Sequence, residues 1–110
     1  MSDGPETDRA APYVILVEFA LAVGADAAFE ALILENARRS LSDEPGCRVF
    51  DVCAKADDAY SIVLYEVYAD RAAFDAHLAA PHFKAFDEAS AALVTGKRVT
   101  ELTLLTGASG

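Results

Sequence analysis

Three polar residues occupy positions where the hydrophobic pattern of the chain calls for apolar side chains. Asn36 lies three residues after Ile33 on the apolar stripe of one predicted helix. His77 lies three residues after Phe74 on the inner face of a second, and His82 opens a third. A buried amide or imidazole costs about 1–3 kcal/mol unless its hydrogen bonds are satisfied. Each of the three therefore needs a protein partner, a water or a ligand.

The two histidines are candidates for proton transfer. His82 stands at a helix N-terminus, where the macrodipole disfavours the imidazolium, and a neutral imidazole exchanges protons near pH 7. Each of the three polar residues also has a purely structural explanation. Asn36 could tie its helix to the backbone, His77 could hydrogen-bond a carbonyl, and His82 could hydrogen-bond solvent. We expect no metal ion, because Pro81 breaks the helix between the two histidines.

Two carboxylates interrupt apolar strands. Glu18 shares a strand face with Leu16, and Glu66 shares one with Leu64. We expect Glu18 and Glu66 to approach each other on neighbouring strands, which would raise the pKa of one of them. The alternative is an ion pair with an arginine across the sheet. Tyr65 lies on the opposite strand face from Glu66, and its phenol either donates to a ligand between sheet and helices or simply packs.

The elements that must position these residues follow the order βαββαβ, with the second helical segment split in two. We predict strands over 13–21, 47–55, 60–68 and 97–105, and helices over 26–41, 71–78 and from 81 until Gly96 ends it. Phe74 and Phe83 point inward from the later helices. This order predicts an α+β, ferredoxin-like fold, with a four-stranded antiparallel sheet and helices on one face.

Both faces of the predicted strands are apolar, whereas helices cover only one face of such a sheet. A second copy of the chain is the simplest cover for the other face, so we predict a homodimer. The domain is expected to span 13–105, after a disordered polar tail at 1–12 and before a frayed end at 106–110.

Composition excludes several classes of function. The chain has 110 residues and a formal net charge of −9, which disfavours binding to nucleic acid or to an anionic membrane surface. No transmembrane run and no signal peptide are recognisable. Cys47 and Cys53 are six positions apart in one predicted strand, so they share a face but lie about 20 Å apart, too far for a disulfide. We expect free thiols in the cytoplasm.

Four segments together resemble the antibiotic biosynthesis monooxygenase family over about residues 13–105. They are VILVEF in the first strand, EPGCRVFDV at 44–52, YEVYADRAAFDAHLAAPHFKAF at 65–86 and LVTGKRV at 93–99. The Glu-Pro-Gly-Cys turn, combined with the spacing from Phe74 through His77 to the Pro-His-Phe segment, is the specific part. The resemblance implies a dimeric α+β barrel.

The resemblance also implies a chemistry. Family members include small oxygenases that oxidise quinol-like or polycyclic phenolic substrates with molecular oxygen and with neither flavin nor metal. The protein deprotonates a phenol or enol, and the resulting anion reacts with oxygen. By position, His77 would be the base and Asn36 the donor to the enolate oxygen. The residues that would orient or bind the substrate are His82, Tyr65, Glu66, Phe74 and Phe83.

Other branches imply other activities. A haem-degrading branch relies on a tryptophan and a first-strand asparagine, and this chain has neither. An isomerase branch acting on an enolisable, phosphorylated dione of the autoinducer-2 type shares the pair His77 and His82 and the TGKRV segment. It carries a histidine where this chain has Ala37. A non-catalytic dimer that binds a small aromatic ligand is the third possibility.

Overall fold

The computed structural model describes residues 11–106. Its elements, in chain order, are β1 (Tyr13–Leu21), α1 (Asp26–Asp43), β2 (Cys47–Lys55), β3 (Asp58–Tyr68), α2 (Arg71–Ala79), α3 (Pro81–Ser90), a short 3-10 helix (Ala91–Leu93) and β4 (Val94–Leu102). Of the predicted disordered tail at 1–12, residues 1–10 lie outside the described part. Of the predicted frayed end at 106–110, residues 107–110 lie outside it. No helix in the described part is long and apolar enough to cross a membrane.

The four strands form one antiparallel sheet in the order β2-β3-β1-β4, which confirms the predicted ferredoxin-like α+β arrangement. Ile15 of β1 pairs with Glu66 of β3, and Val17 pairs with Leu64. These side chains belong to the sheet face that packs against the helices, here called the helix face. Its core joins β1 and β3 to α1 and α3 through a buried cluster that includes Val17, Phe19, Leu64, Phe29, Ile33 and Phe86.

The junction between α2 and α3 follows directly from local sequence. Asp70 caps α2, its carboxylate accepting a hydrogen bond from the Ala73 N–H at 2.8 Å. Ala80 is extended because a residue before proline avoids the helical region, and Pro81 then starts α3 as its first residue. The resulting bend places the His77 and His82 rings 6.1 Å apart, centroid to centroid.

The predicted start of the last strand was wrong. Helix α3 ends at Ser90, β4 begins at Val94, and Gly96 lies inside β4 opposite Ala20 instead of ending a helix. Val94 pairs with Leu21, so the sheet extends to the end of β1. Ladder pairing along this edge outweighs the weak local tendency of glycine to stop a helix.

The expectation that the two cysteines share a face was also wrong. The register of β2 on β3 shifts between Cys47 and Val49, so Cys47 pairs with Tyr68 in the core while Cys53 pairs with Val63 and is exposed. One extra residue at an irregularity reverses the face of every later side chain. Both thiols are free, and burial raises the pKa of Cys47 to about 12.

The sheet surface turned away from the helices, here called the open face, has a mixed character. Leu16, Val63 and Tyr65 are half-buried there. Glu18 belongs to this face because it pairs with Val63, whereas Glu66 lies on the helix face. The predicted approach of the two carboxylates is therefore wrong. Glu18 pairs with Val63, which is three positions before Glu66, and side chains an odd number of positions apart on a strand point to opposite faces.

Candidate active site

A cavity of about 70 Å³ lies between the helix face of the sheet and helices α2 and α3. Most of its lining is aliphatic or aromatic, including Phe74 and Phe83. The polar groups in the lining belong to Asn36, Glu66, His77 and Lys97. The exposed side chains of Lys97, Val99 and Leu78 form its outer rim. An apolar chamber with a few convergent polar groups is the usual form of a small-molecule site.

His77 lies near the end of α2 and is only 2% exposed. Its ring packs among aromatic rings, 5.0 Å from Phe83 and 5.3 Å from Tyr68 by centroid. Its Nδ1 lies 2.9 Å from Oε2 of Glu44. Burial lowers the pKa of His77 below its usual value, and the Glu44 carboxylate opposes that effect. A neutral imidazole that donates from Nδ1 to a carboxylate keeps its lone pair on Nε2, where it can accept a proton.

Glu44 is the residue that sequence reasoning missed. It follows α1 directly, where its backbone N–H closes the helix on the Ser40 carbonyl. Its side chain is 11% exposed, and Oε2 hydrogen-bonds both His77 Nδ1 and His82 Nε2. Its other oxygen, Oε1, is buried with no hydrogen-bond partner in the described part of the chain. The only signal in the sequence was its place in the EPGC turn.

Gly46 explains how Glu44 comes so close to α2. A Cβ at position 46 would lie 2.5 Å from the Cβ of Ala73, closer than real side-chain atoms approach. The Gly46 carbonyl also accepts a hydrogen bond from the Ala69 N–H at 2.8 Å. The glycine therefore lets the turn pack directly on the start of α2, which carries His77 one turn further along.

His82 is joined to the cavity indirectly. It lies at the start of α3, its side chain is 12% exposed, and its Nε2 hydrogen-bonds Oε2 of Glu44. It does not line the 70 Å³ cavity but a groove of about 400 Å³ between α1 and α3, here called the α1–α3 groove, whose lining includes Asn36 and Arg39. The structure thus links the two predicted histidines through a carboxylate and not through a ligand pocket they share.

Asn36 borders both the cavity and the groove. It is 3% exposed, and its Oδ1 is buried without a hydrogen-bond partner among residues 11–106. A buried acceptor left unpaired costs about 1–3 kcal/mol. The amide is therefore suited to receive a hydrogen bond from a ligand hydroxyl.

Glu66 brings a second proton-transfer group to the cavity. It is 3% exposed and accepts a hydrogen bond from the Tyr68 hydroxyl at 2.5 Å. Burial raises the pKa of Glu66 to about 7, with the Tyr68 hydrogen bond and the charge of Lys97 acting in the opposite direction. Burial and the nearby Glu66 charge raise the pKa of Tyr68, so its phenol stays protonated. Glu66 is thus able to hold or release a proton near neutrality.

Of the residues singled out from sequence, five line the cavity together: Asn36, Glu66, Phe74, His77 and Phe83. Tyr65 does not. It pairs with Leu16 and lies on the open face, so the expected contact with a ligand between sheet and helices is not formed within this chain. Strand alternation separates Tyr65 from Glu66, and the register puts Glu66 on the helix face. The catalytic and binding roles of the other residues stay predictions.

One group of three side chains has the composition of a metal site. Ligand atoms of Glu44, His77 and His82 all lie within 4.8 Å of one another. Sequence reasoning disfavoured a metal here because Pro81 interrupts the helix, but that interruption is what brings the two rings together.

Comparison with known proteins places this geometry in context. A family model described as antibiotic biosynthesis monooxygenase matches residues 12–89. No protein with a curated description of function matches the sequence.

Several solved structures have the same fold. Rv0793 from Mycobacterium tuberculosis is 30% identical, with a TM-score of 0.81 over 89% of this chain and 99% of that one. A Bacteroides thetaiotaomicron protein, provisionally named an antibiotic biosynthesis monooxygenase, is 26% identical, with a TM-score of 0.85 over 89% of this chain and 93% of its own. PA3566 from Pseudomonas aeruginosa, at 23% identity, has a TM-score of 0.83 over 89% of this chain and 98% of its own, and shows the shared fold.

Proposed function

The chain belongs to the antibiotic biosynthesis monooxygenase family, and on that basis we propose that it is a cofactor-independent monooxygenase acting on a small quinol-like or polycyclic phenolic substrate. One observation carries the proposal. A buried imidazole, oriented by the Glu44 carboxylate at 2.9 Å, stands in the lining of an apolar cavity beside an amide whose oxygen has no hydrogen-bond partner among residues 11–106.

The first step is removal of the substrate's phenolic or enolic proton. Within residues 11–106, the side-chain hydrogen bonds of His77 all involve Nδ1, which leaves Nε2 as the accepting atom. The proton moves to Nε2, and the imidazolium that forms is stabilised by the carboxylate of Glu44 at 2.9 Å. Asn36 would accept a hydrogen bond from a substrate hydroxyl at Oδ1 and donate from Nδ2 to the oxygen of the anion, so that the anion stays aligned in a dry site.

The second step consumes oxygen. The carbanion-like carbon of the anion transfers its electrons to O₂ and forms a C–O bond, which gives a peroxide. Protonation of the peroxide, loss of the remaining C–H proton and cleavage of the O–O bond release water and leave a new carbonyl. The CH₂ group of an anthrone-type substrate thus becomes C=O, while O₂ supplies one oxygen atom to the product and one to water. Glu66, which lines the cavity and has a pKa raised to about 7, would deliver the proton for water loss.

The cavity dimension limits the substrate. An apolar cavity of about 150 Å³ admits benzene, so a cavity of about 70 Å³ encloses only part of an aromatic ring. The rest of the ring extends between the exposed rim side chains Leu78, Lys97 and Val99. We propose that the reacting carbon and its oxygen enter first and that the remainder of the substrate stays at the rim.

The proposal includes a homodimer and a reducing location. The open face carries the half-buried side chains of Leu16, Val63 and Tyr65, and a second copy of the chain would cover them. Two free cysteines fit the cytoplasm.

A second candidate function is isomerisation of a small enolisable, phosphorylated dione. It uses the same proton abstraction, and Glu66 would return the proton at a neighbouring carbon. The observation that favours it is Lys97, whose ammonium lies at the rim of the cavity, 5.5 Å from the centroid of the Phe19 ring, and would attract a phosphate. A non-catalytic dimer that binds a small aromatic ligand is the third.

An oxygen electrode distinguishes these functions. The wild-type protein is given a panel of hydroquinones and anthrones, and O₂ uptake is compared with the amount of quinone formed. The proposal predicts one O₂ consumed per quinone formed, with the second oxygen atom released as water, and loss of the activity in His77→Gln. Dione turnover without O₂ uptake supports the isomerase instead. Ligand binding with no turnover, and with equal affinity in the His77→Gln variant, supports the binding protein.

A further inference from the structure

Three side chains converge behind the cavity from three separate parts of the chain. Glu44 follows α1, His77 lies near the end of α2, and His82 lies in the first turn of α3. Their ligand atoms lie within 4.8 Å of one another. We propose that this cluster binds a divalent transition-metal ion of the Zn²⁺ type and that binding switches off the base function of His77. The second half rests on the function proposed above, whereas the first half does not.

The donor set matches the preference of zinc. Two imidazole nitrogens and one carboxylate oxygen form a known protein set for this ion, with water as the fourth ligand. Metal–ligand bonds of about 2.0–2.2 Å in a tetrahedron put ligand atoms roughly 3.4 Å apart. His77 Nδ1 and Glu44 Oε2 lie 2.9 Å apart, so they need to separate by only about half an ångström.

The cluster is held in place by its surroundings. The exposed fractions of the three side chains are 3% for His77, 11% for Glu44 and 12% for His82. Gly46 brings the Glu44 turn against α2, and Pro81 sets the direction of α3. A site fixed in this way spends little free energy on ordering its ligands when the ion enters.

One oxygen in the cluster lacks a hydrogen-bond partner in the described part of the chain. Glu44 Oε1 is buried and forms no hydrogen bond with residues 11–106, while Oε2 serves both histidines. An ion between the three side chains would give Oε1 a cation to face. Entry is available from the α1–α3 groove, which His82 lines.

Metal binding changes which nitrogen of His77 carries the proton. In the metal-free protein Nδ1–H donates to Glu44 and Nε2 carries the lone pair. A metal ion takes the lone pair of Nδ1, so the single proton of the neutral ring must lie on Nε2. The atom that would accept the substrate proton then becomes a donor. The ion therefore inhibits turnover without entering the cavity.

The binding half is tested without any substrate. Chelator-stripped protein is titrated with Zn²⁺ by calorimetry, and with Co²⁺ by visible absorption, where strong bands report tetrahedral coordination. We expect one ion per protomer, with affinity reduced at least about tenfold in Glu44→Gln and in His82→Gln. The matched control is Glu35→Gln, which removes an exposed carboxylate from the same groove and is expected to leave affinity unchanged.

The inhibition half is tested on turnover. Zn²⁺ is expected to abolish wild-type O₂ uptake at the concentration that fills the calorimetric site, and a chelator is expected to restore it. Circular dichroism melting of each variant shows that it is folded. Equal Zn²⁺ affinity in wild type, Glu44→Gln and His82→Gln overturns the site. If Zn²⁺ binds but turnover is undiminished, the proposed inhibition is overturned and the metal site stands. If Zn²⁺ binds but the protein turns over none of the substrates, the proposed function is overturned and the metal site again stands.

Discussion

Replacing Glu66 by glutamine tests the electrostatics of the cavity most directly. The carboxylate is 3% exposed and accepts a hydrogen bond from the Tyr68 hydroxyl, with 2.5 Å between the two oxygens. Glutamine has nearly the same shape, offers an oxygen to the same hydroxyl, and does not titrate. The substitution therefore removes the ionisation while leaving the packing and this hydrogen bond in place.

The magnitude follows from the pKa of Glu66, which burial raises from 4.5 to about 7. The folded state keeps the proton in this pH interval, whereas the unfolded chain releases it. The contribution to stability is therefore fully present below pH 4.5 and is lost as pH rises through 7. At about 1.4 kcal/mol per pKa unit, the whole interval corresponds to roughly 3 kcal/mol of unfolding free energy.

Urea denaturation at fixed protein concentration measures the effect. The range should begin near pH 5.5, because the isoelectric point of about 4.4 makes lower values prone to precipitation. Between pH 5.5 and 8 the unfolding free energy of Glu66→Gln should rise by roughly 2 kcal/mol relative to wild type. Glu88→Gln, at an exposed position on α3, should show no such trend. A flat difference for Glu66→Gln would refute the claim that burial disfavours the charged carboxylate.

Three further predictions concern the base, the turn and the open face. His77→Gln should lower turnover by about 10²–10⁴, measured by O₂ uptake after circular dichroism shows that the variant is folded; unchanged turnover would remove His77 as the base. Gly46→Ala should cost about 1–3 kcal/mol in urea denaturation because its Cβ would meet Ala73 at 2.5 Å, and an equal stability would show that the turn shifts freely. Leu16→Asp on the open face should shift the sedimenting species from dimer to monomer at micromolar concentration. The control Leu34→Asp, at an exposed position on α1, should leave the dimer intact. A monomeric wild-type protein would contradict the proposed homodimer.

Local patterns were enough to find the fold and part of the site. Strand β2 has the predicted bounds, 47–55, because it is flanked by a Pro-Gly break and by a polar hairpin turn. Asn36 and His77 were recognised because each interrupts an apolar stripe of helical period, and both are buried at the cavity. Periodicity reports which side of an element a residue occupies, and that information is contained in a few neighbouring positions.

Contacts between distant segments decided the rest. Alternation separates Tyr65 from Glu66, but only the pairing of β3 with β1 and the helices determines which of them faces the cavity. The register irregularity after Cys47 moves each later side chain of β2 to the opposite sheet face, and no local residue pattern predicted it. Glu44 belongs to no periodic element, so its partners depend on how closely α2 packs on the turn at Gly46. A charged side chain in a turn is ordinarily solvated, and only the tertiary structure turns this one inward to hold two histidines.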